Sequence, residues 1–398
     1  MEFPEYVRAI LARLWERGYT AYAVGGCVRD TLLGRAPHDW DIASAAPAAY
    51  TAQLFSAPPF SVRVGTGLRH GTVTVCLGGA ECEVTTFRQD GAYTDHRRPD
   101  AVTFVSCAED DLARRDFTVN AMAAAPAPDG AGELFLDPFG GRADLAAGVI
   151  RCVGRAAERF TEDALRILRG IRFASRYGFT IEAETARAMH ECAPLLDCIA
   201  PERIGDELRG TLAGASCGAY LAEFGDVFRR VLPPARPEAA DAAARTSDVT
   251  VRTALLCGGG ADGIRAALLR LSFGRAETER VVRLTEEKDA PLGTHEARCR
   301  LAARFGEADI GQYFDYRRAL APRDASLAAA EASVRALFAP GVCYNTATLA
   351  VTGRDLIALG ARPGPALGAL LERLTADVIA GRLPNDRTAL LEAAKASL

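Results

Sequence analysis

The chain has 398 residues, 49% of them hydrophobic and 25% charged, with a formal net charge of −4. That length can bury a large core divided among several modules, and the acidic balance excludes a uniformly basic nucleic-acid coat while leaving room for local basic patches. No apolar run approaches a membrane span, residues 1–5 (Met-Glu-Phe-Pro-Glu) lack the basic and apolar regions of a signal peptide, and eleven scattered cysteines include no Cys-x-x-Cys pair, so a cytoplasmic protein without membrane contact or zinc is expected.

In chain order, an amphipathic helix leads into a short buried strand over residues 19–24, and then Gly25-Gly26 opens a helical stretch over 27–33 that stops at Gly34. A strand-to-helix turn without β-carbons lets an anion approach backbone amides and a helix N-terminus closely. Asp39 and Asp41 follow, two residues apart on an expected strand at 40–44, which sends both side chains from one face. Carboxylates so placed can hold a pair of Mg²⁺ ions roughly 3.5–4 Å apart, as in-line phosphoryl chemistry requires. His38-Asp39 also spells a phosphohydrolase dyad, but no second His-Asp pair exists, and the other histidines are widely spaced. Residues 71–75 read as a strand. The next run, 81–88, alternates, with Glu81, Glu83 and Thr85 on one face and Cys82, Val84 and Thr86 on the other. Glu83, in preference to Glu81, is the expected third carboxylate. Within residues 110–121, Arg114 and Arg115 supply positive charge for phosphate or ribose, and Asp116 and Asn120 are candidate ribose partners.

Asp137-Pro138-Phe139-Gly140-Gly141 is a strong turn, beyond which strand signal fades except at 149–153 and helical spacing dominates. Thr161 reads as an N-cap with Glu162 and Asp163 in the first turn. Arg166, Arg169, Arg172 and Arg176 form a stripe on one helix face, opposite Ile167, Leu168, Ile171 and Ala174. Because the stripe adjoins the glycine and carboxylate motifs, phosphate binding is the expected role. The segment 232–237 (Leu-Pro-Pro-Ala-Arg-Pro) interrupts the helical half, and the alanine-rich stretch after it is expected to act as a mobile link.

These pieces together resemble a class II tRNA nucleotidyltransferase, the CCA-adding enzyme of the polymerase-β nucleotidyltransferase superfamily. The resemblance runs from about residue 19 to 210 through Gly25–Gly34, Asp39–Ile42, Glu83–Arg88, Arg114–Ala121 and Glu162–Arg169, and is looser beyond. It implies an α+β protein. A nucleotidyltransferase head with a small mixed sheet (1–140) would be followed by an all-helical neck for base recognition (141–210) and a helical body and tail for tRNA (211–398). The implied reaction is template-independent, Mg²⁺-dependent transfer of CMP and AMP from CTP and ATP to the tRNA 3′ end. Asp39 and Asp41 would hold the metals with Glu83 beside them. Gly25, Gly26 and Arg29 would hold the triphosphate, and Arg114, Asp116, Asn120 and Arg169 the rest of the nucleotide. Arg172 and Arg176 would face RNA. Residues 90–99 resemble the family's flexible loop, implicated in the switch from adding C to adding A.

The role the resemblance gives to Asp163 and Arg166 has a physical rationale. Spaced three apart on a helix, they would share a face. A carboxylate only accepts hydrogen bonds and a guanidinium only donates them. Cytosine and adenine both place an amino donor beside a ring-nitrogen acceptor, whereas uracil and guanine present the reverse. One acceptor–donor pair therefore admits C and A and rejects U and G. An ordinary intrahelical ion pair is the plain alternative. For the whole chain, a bacterial poly(A) polymerase, a CC-adding or A-adding enzyme, and a catalytically silent RNA-binding protein are the rivals.

Overall fold

The structure, a computed structural model, describes residues 1–63, 65, 71–91, 102–127 and 132–396. His70, His96 and most of the 90–99 loop lie outside the described residues. The chain forms two compact units, Met1–Pro233 and Pro234–Leu398, which divide inside the proline-rich segment at 232–237.

The first unit runs α1 (Glu5–Trp15), β1 (Ala21–Val24), α2 (Gly26–Leu32), β2 (Asp41–Ser44), α3 (Ala48–Leu54), β3 (Phe60–Arg63), β4 (Thr72–Leu77), β5 (Ala80–Thr86), β6 (Arg88–Asp90) and β7 (Val102–Phe104). It continues with α4 (Ala108–Ala113), β8 (Ala123–Pro126), β9 (Glu133–Leu136), α5 (Gly141–Ala147), β10 (Val149–Ile150), α6 (Ala156–Glu162) and α7 (Leu165–Tyr177). Next come β11 (Thr180–Ile181), α8 (Ala183–Cys192), α9 (Pro201–Ala213), α10 (Cys217–Glu223) and α11 (Gly225–Val231). Seven strands make one mixed sheet in the order β3-β4-β5-β2-β1-β8-β9. Within this sheet, among the described residues, only β2 and β5 pair in parallel, and their register sets Asp41 opposite Glu83. On α1, Val7, Ile10, Leu11 and Leu14 are fully buried, the spacing an amphipathic helix needs to cover a core. Beyond residue 140 this unit is helical apart from the short parallel pair of β10 and β11, the former lying where residual strand signal was read.

Two expectations about local structure change. Thr161 is not an N-cap: it lies within α6, its hydroxyl donating to the Ala157 carbonyl at 2.8 Å. The helix breaks instead at Asp163, whose φ of −139° and ψ of 102° are extended. Its carboxylate accepts from the Leu165 amide at 3.1 Å and so starts α7. Asp163 and Arg166 therefore do not lie on one continuous helix.

The second unit contains α12 (Ala240–Ala243), α13 (Val249–Leu256), α14 (Ala261–Arg270), α15 (Arg275–Glu286), α16 (His295–Leu320), α17 (Ser326–Ala336), α18 (Gly353–Ala358), α19 (Pro365–Ile379) and α20 (Arg387–Lys395). The alanine-rich stretch is a packed helix rather than a mobile link: Ala240, Ala242 and Ala243 are buried, and α12 packs on α13. Alanine is the best helix former and small enough to bring two backbones close. Toward the C-terminus, Leu356, Leu370, Leu374 and Leu390 form a separate small core.

Candidate active site

A cleft of about 530 Å³ in the first unit is lined by α2, the approach to β2, the segment after α4, α7 and Arg203 of α9. Among the described residues its walls carry eight arginines and five aspartates. Positive charge dominates, as a polyphosphate site requires, and two of the five aspartates, Asp39 and Asp41, lie at the start of β2.

The glycine turn forms one wall. Gly25 has φ +78°, a conformation glycine adopts freely, and a β-carbon there would sit 2.7 Å from Arg115 Nη1. Gly26 begins α2, and its β-carbon would meet only Arg29 Nη2, at 3.5 Å. Arg29 is 6% exposed and is held through two of its three guanidinium nitrogens. Its Nε donates to Asp30 at 2.9 Å and its Nη1 to Asn120 Oδ1 at 2.5 Å. Its guanidinium also lies 5.1 Å from the Phe173 ring centroid and 4.9 Å from that of Tyr177. Tyr177 in turn donates to Asp30 at 2.9 Å. Asn120 Nδ2 donates to Asp116 at 3.1 Å, and Asp116 accepts from Arg169 at 2.9 Å. This chain of hydrogen bonds ties the glycine-turn helix to α7 at two places, Arg169 and Tyr177. Asp116 and Asn120 line the cleft, yet their polar atoms are engaged with each other and with two arginines, so bracing is their visible work. Burial alone would raise the Asp116 pKa, but Arg169, the Asn120 hydrogen bond and Arg166 outweigh it and hold the carboxyl down at about 2.

The paired aspartates lie beside the glycine turn, because β1 pairs with β2 and Cys27 Sγ comes within 3.9 Å of the Asp41 carbonyl. Asp41 opens β2 and Asp39 just precedes it; both are solvent-exposed, with His38 Nδ1 2.8 Å from the Asp39 carboxylate. Desolvation raises the Asp41 pKa, with Glu83 and Asp39 adding to the shift and Arg115 opposing it. Carboxylates that repel one another in this way would gain from a cation between them. Glu81 is drawn off toward Arg63, at 2.5 Å, which leaves Glu83 as the acid beside Asp41. Glu83 is outside the cleft lining. Among the described residues no group of three or more His, Cys, Asp or Glu side chains converges to hold a metal ion. Cys27 touches the cleft, but burial pushes its thiol up to about 11, so it is a neutral thiol and not a nucleophile.

The arginine stripe of α7 is less free than a solvated face would be. Arg166 is buried, donating to Glu162 at 2.7 Å and to the Arg114 carbonyl at 3.1 Å. Arg172 pairs with Glu207 at 2.6 Å, and Gly210 leaves room for its stem, which a β-carbon there would meet at 2.4 Å. Arg176 is exposed beside the Tyr177 ring. Asp163 pairs not with Arg166 but with Arg203, at 3.2 Å. All of these arginines, with Asp163, line the cleft. Arg114 and Arg115 share the buried Asp111, at 2.7 and 3.2 Å. Sequence reasoning did not assign Asp111, Arg203, Glu207 or Tyr177. Asp111 sat in a quoted motif, but nothing in the local pattern connects α9 with a helix some forty residues earlier.

Residues 21–151 match the family model of the poly A polymerase head domain. Residues 178–223 match that of a probable RNA and SrmB-binding site of polymerase A, and 338–394 a putative domain 2 of tRNA nucleotidyltransferase. The chain is 39% identical over 403 residues to the CCA-adding enzyme of Levilactobacillus brevis, covering 98% of this chain and 97% of that one. Over 212 residues, 53% of this chain and 50% of the relative, it is 49% identical to the CCA-adding enzyme of Leuconostoc mesenteroides. Among solved structures, the Bacillus stearothermophilus CCA-adding enzyme in complex with CTP matches with a TM-score of 0.80 at 30% identity, covering 100% of this chain and 98% of that chain.

Proposed function

The chain belongs to the CCA-adding enzyme family, and we propose that the arginine-lined cleft of its first unit is where it adds C, C and A to the tRNA 3′ end. CMP, CMP and AMP come from CTP and ATP without a nucleic-acid template, and pyrophosphate is released. The observation that carries this reading is the convergence in one cleft of the Gly25-Gly26 turn, Asp39 with Asp41, and Asp163 with Arg166. Triphosphate, metal and base recognition are thus supported by three separate groups of residues that line one cleft.

Gly25, Gly26 and Arg29 would receive the triphosphate, with Arg114 and Arg169 completing the positive wall. Because Arg29 spends two nitrogens on Asp30 and Asn120, Nη2 beside Gly26 is the donor best placed for phosphate. Asp116 and Asn120 hold Arg169 and Arg29 at the fixed spacing this needs. Asp163 would accept the amino proton of C or A while Arg166 donates to the ring nitrogen, and Arg172 and Arg176 would meet RNA phosphates.

Asp39 and Asp41 fit a hard divalent cation: both offer oxygen, and Asp41 sits among like charges that a cation would relieve. Magnesium commonly takes one or two carboxylates together with substrate phosphates, so two protein ligands suffice. Bound there, Mg²⁺ would supply charge neutralisation on the triphosphate and activation of the attacking 3′-hydroxyl. Glu83 would act on Asp41 from the neighbouring strand. The three-part division into head, neck and body with tail remains part of this proposal, as does a cytoplasmic setting. A reducing compartment suits a chain whose eleven cysteines form no disulfide.

The test is incubation with tRNA lacking its terminal CCA, Mg²⁺ and each nucleotide, for the native chain and for Asp41→Ala. Extension by C, C and A is expected, abolished in Asp41→Ala with tRNA affinity kept within a few-fold, since RNA binding rests on many phosphate contacts. A long adenylate tract would establish the poly(A) alternative, and arrest after two C residues with ATP present a CC-adding enzyme. Appreciable turnover by Asp41→Ala would overturn its metal-binding role.

A further inference from the structure

Asp163 stands on extended backbone between α6 and α7, where neither helix fixes the direction of its carboxylate. Two ties do so instead. Oδ1 accepts from the Leu165 amide at 3.1 Å, and Oδ2 accepts from Nη2 of Arg203 at 3.2 Å. The other terminal nitrogen of Arg203, Nη1, is buried and has no hydrogen-bond partner. Arg203 itself lines the cleft.

We infer that Arg203 is the positioning residue that aims the Asp163 carboxylate, and that selection of C and A over U and G depends on it. The inference rests on the reading of Asp163 and Arg166 as the base-recognition edge. Selection by hydrogen-bond order needs the acceptor at a fixed place, because rejection of uracil comes from opposing two lone-pair oxygens at one point. A carboxylate tied at a single oxygen can turn its free oxygen away from an incoming carbonyl, and the repulsion disappears. Tied at both oxygens, it cannot. Arginine suits this task because its planar fork holds direction as well as charge, whereas an ammonium supplies a point charge without a plane.

The experiment is single-nucleotide incorporation of C, A, U and G by the full chain on tRNA lacking CCA, for the native protein, Arg203→Gln, Arg203→Lys and Asp163→Ala, with Tm recorded for each. Arg203→Gln is expected to lower the C-to-U incorporation ratio by roughly tenfold or more, with Arg203→Lys between it and the native protein. A common loss for all four nucleotides at an unchanged ratio, or no change, overturns the inference and leaves Arg203 as packing between α9 and α7. Should Arg203→Gln fail to fold, Arg203→Lys decides: a ratio below native supports the inference and an unchanged ratio overturns it. Asp163→Ala separates the two levels. If it too leaves C and A addition and the ratio intact, the base-recognition reading fails. If it destroys the ratio while the Arg203 variants keep it, only the role of Arg203 fails.

Discussion

Gly25 and Gly26 look equivalent in sequence, yet the structure makes them answer differently to the same substitution. At Gly25, φ +78° with ψ −127° is a conformation an L side chain rarely adopts, and forcing a non-glycine residue into such a region costs of order 1–3 kcal/mol. The new β-carbon would also lie 2.7 Å from Arg115 Nη1. Arg115 must then shift, which disturbs its 3.2 Å pair with Asp111, a carboxylate only 1% exposed that Arg114 also holds. Weakening that pair adds roughly 1 kcal/mol. Gly25→Ala should therefore destabilise by about 2–4 kcal/mol in total, or roughly 4–16 °C in Tm at 2–4 °C per kcal/mol. Gly26 has ordinary helical backbone and a 3.5 Å neighbour, so Gly26→Ala should hold Tm within about 2 °C. Its methyl group stands where phosphate would approach, and KM for CTP and ATP should rise together. Thermal unfolding of both variants beside nucleotide-addition kinetics tests this. Equal Tm shifts, or a Gly25→Ala protein that melts like the native one, would refute the reasoning.

Two further outcomes follow from the hydrogen-bond chain that joins α2 to α7. Asp116 has its pKa held at about 2, below the ordinary carboxylate value, so it contributes stability above pH 4 that is lost as pH falls from about 4 through 2; the size is about 2 kcal/mol. Acid unfolding of Asp116→Asn should show a correspondingly flatter loss over that window, and an unaltered slope would count against the pairing. Tyr177→Phe removes the 2.9 Å bond to Asp30 while keeping the ring against Arg29. A loss of about 1–2 kcal/mol in stability is expected, with KM for CTP and ATP raised by a common factor; a change in the C-to-A ratio would show that Tyr177 touches base selection instead.

What the sequence conveyed was chemistry carried by neighbours in the chain. The glycine turn, the Asp39 and Asp41 pair and the amphipathic α1 are local patterns whose periods or spacings state their geometry. The alanine run 123–125 shows the limit: it forms most of a buried interior strand, β8, although alanine has little strand preference, because fit between covered faces overrides propensity. The break at Asp163 was equally hidden. Residues 162–176 have continuous helical spacing, and only the carboxylate's capture of the Leu165 amide and the reach of Arg203 from α9 mark the interruption. The arginine stripe was legible as a stripe, but its carboxylate partners, Asp116 and Glu207, come from distant segments, so its bracing was invisible.

The central claim, one cleft that reads both bases through one acceptor, is tested most directly by Asp163→Ala in single-turnover incorporation of C and of A on matched tRNA acceptors. Loss of the contact leaves a polar group of the base unpaired, at about 1–3 kcal/mol or roughly one to two decades in rate. Both additions should fall together by that amount. Loss of one addition with the other spared would contradict a shared acceptor, and full activity toward both would reduce Asp163 to its structural ties with the Leu165 amide and Arg203.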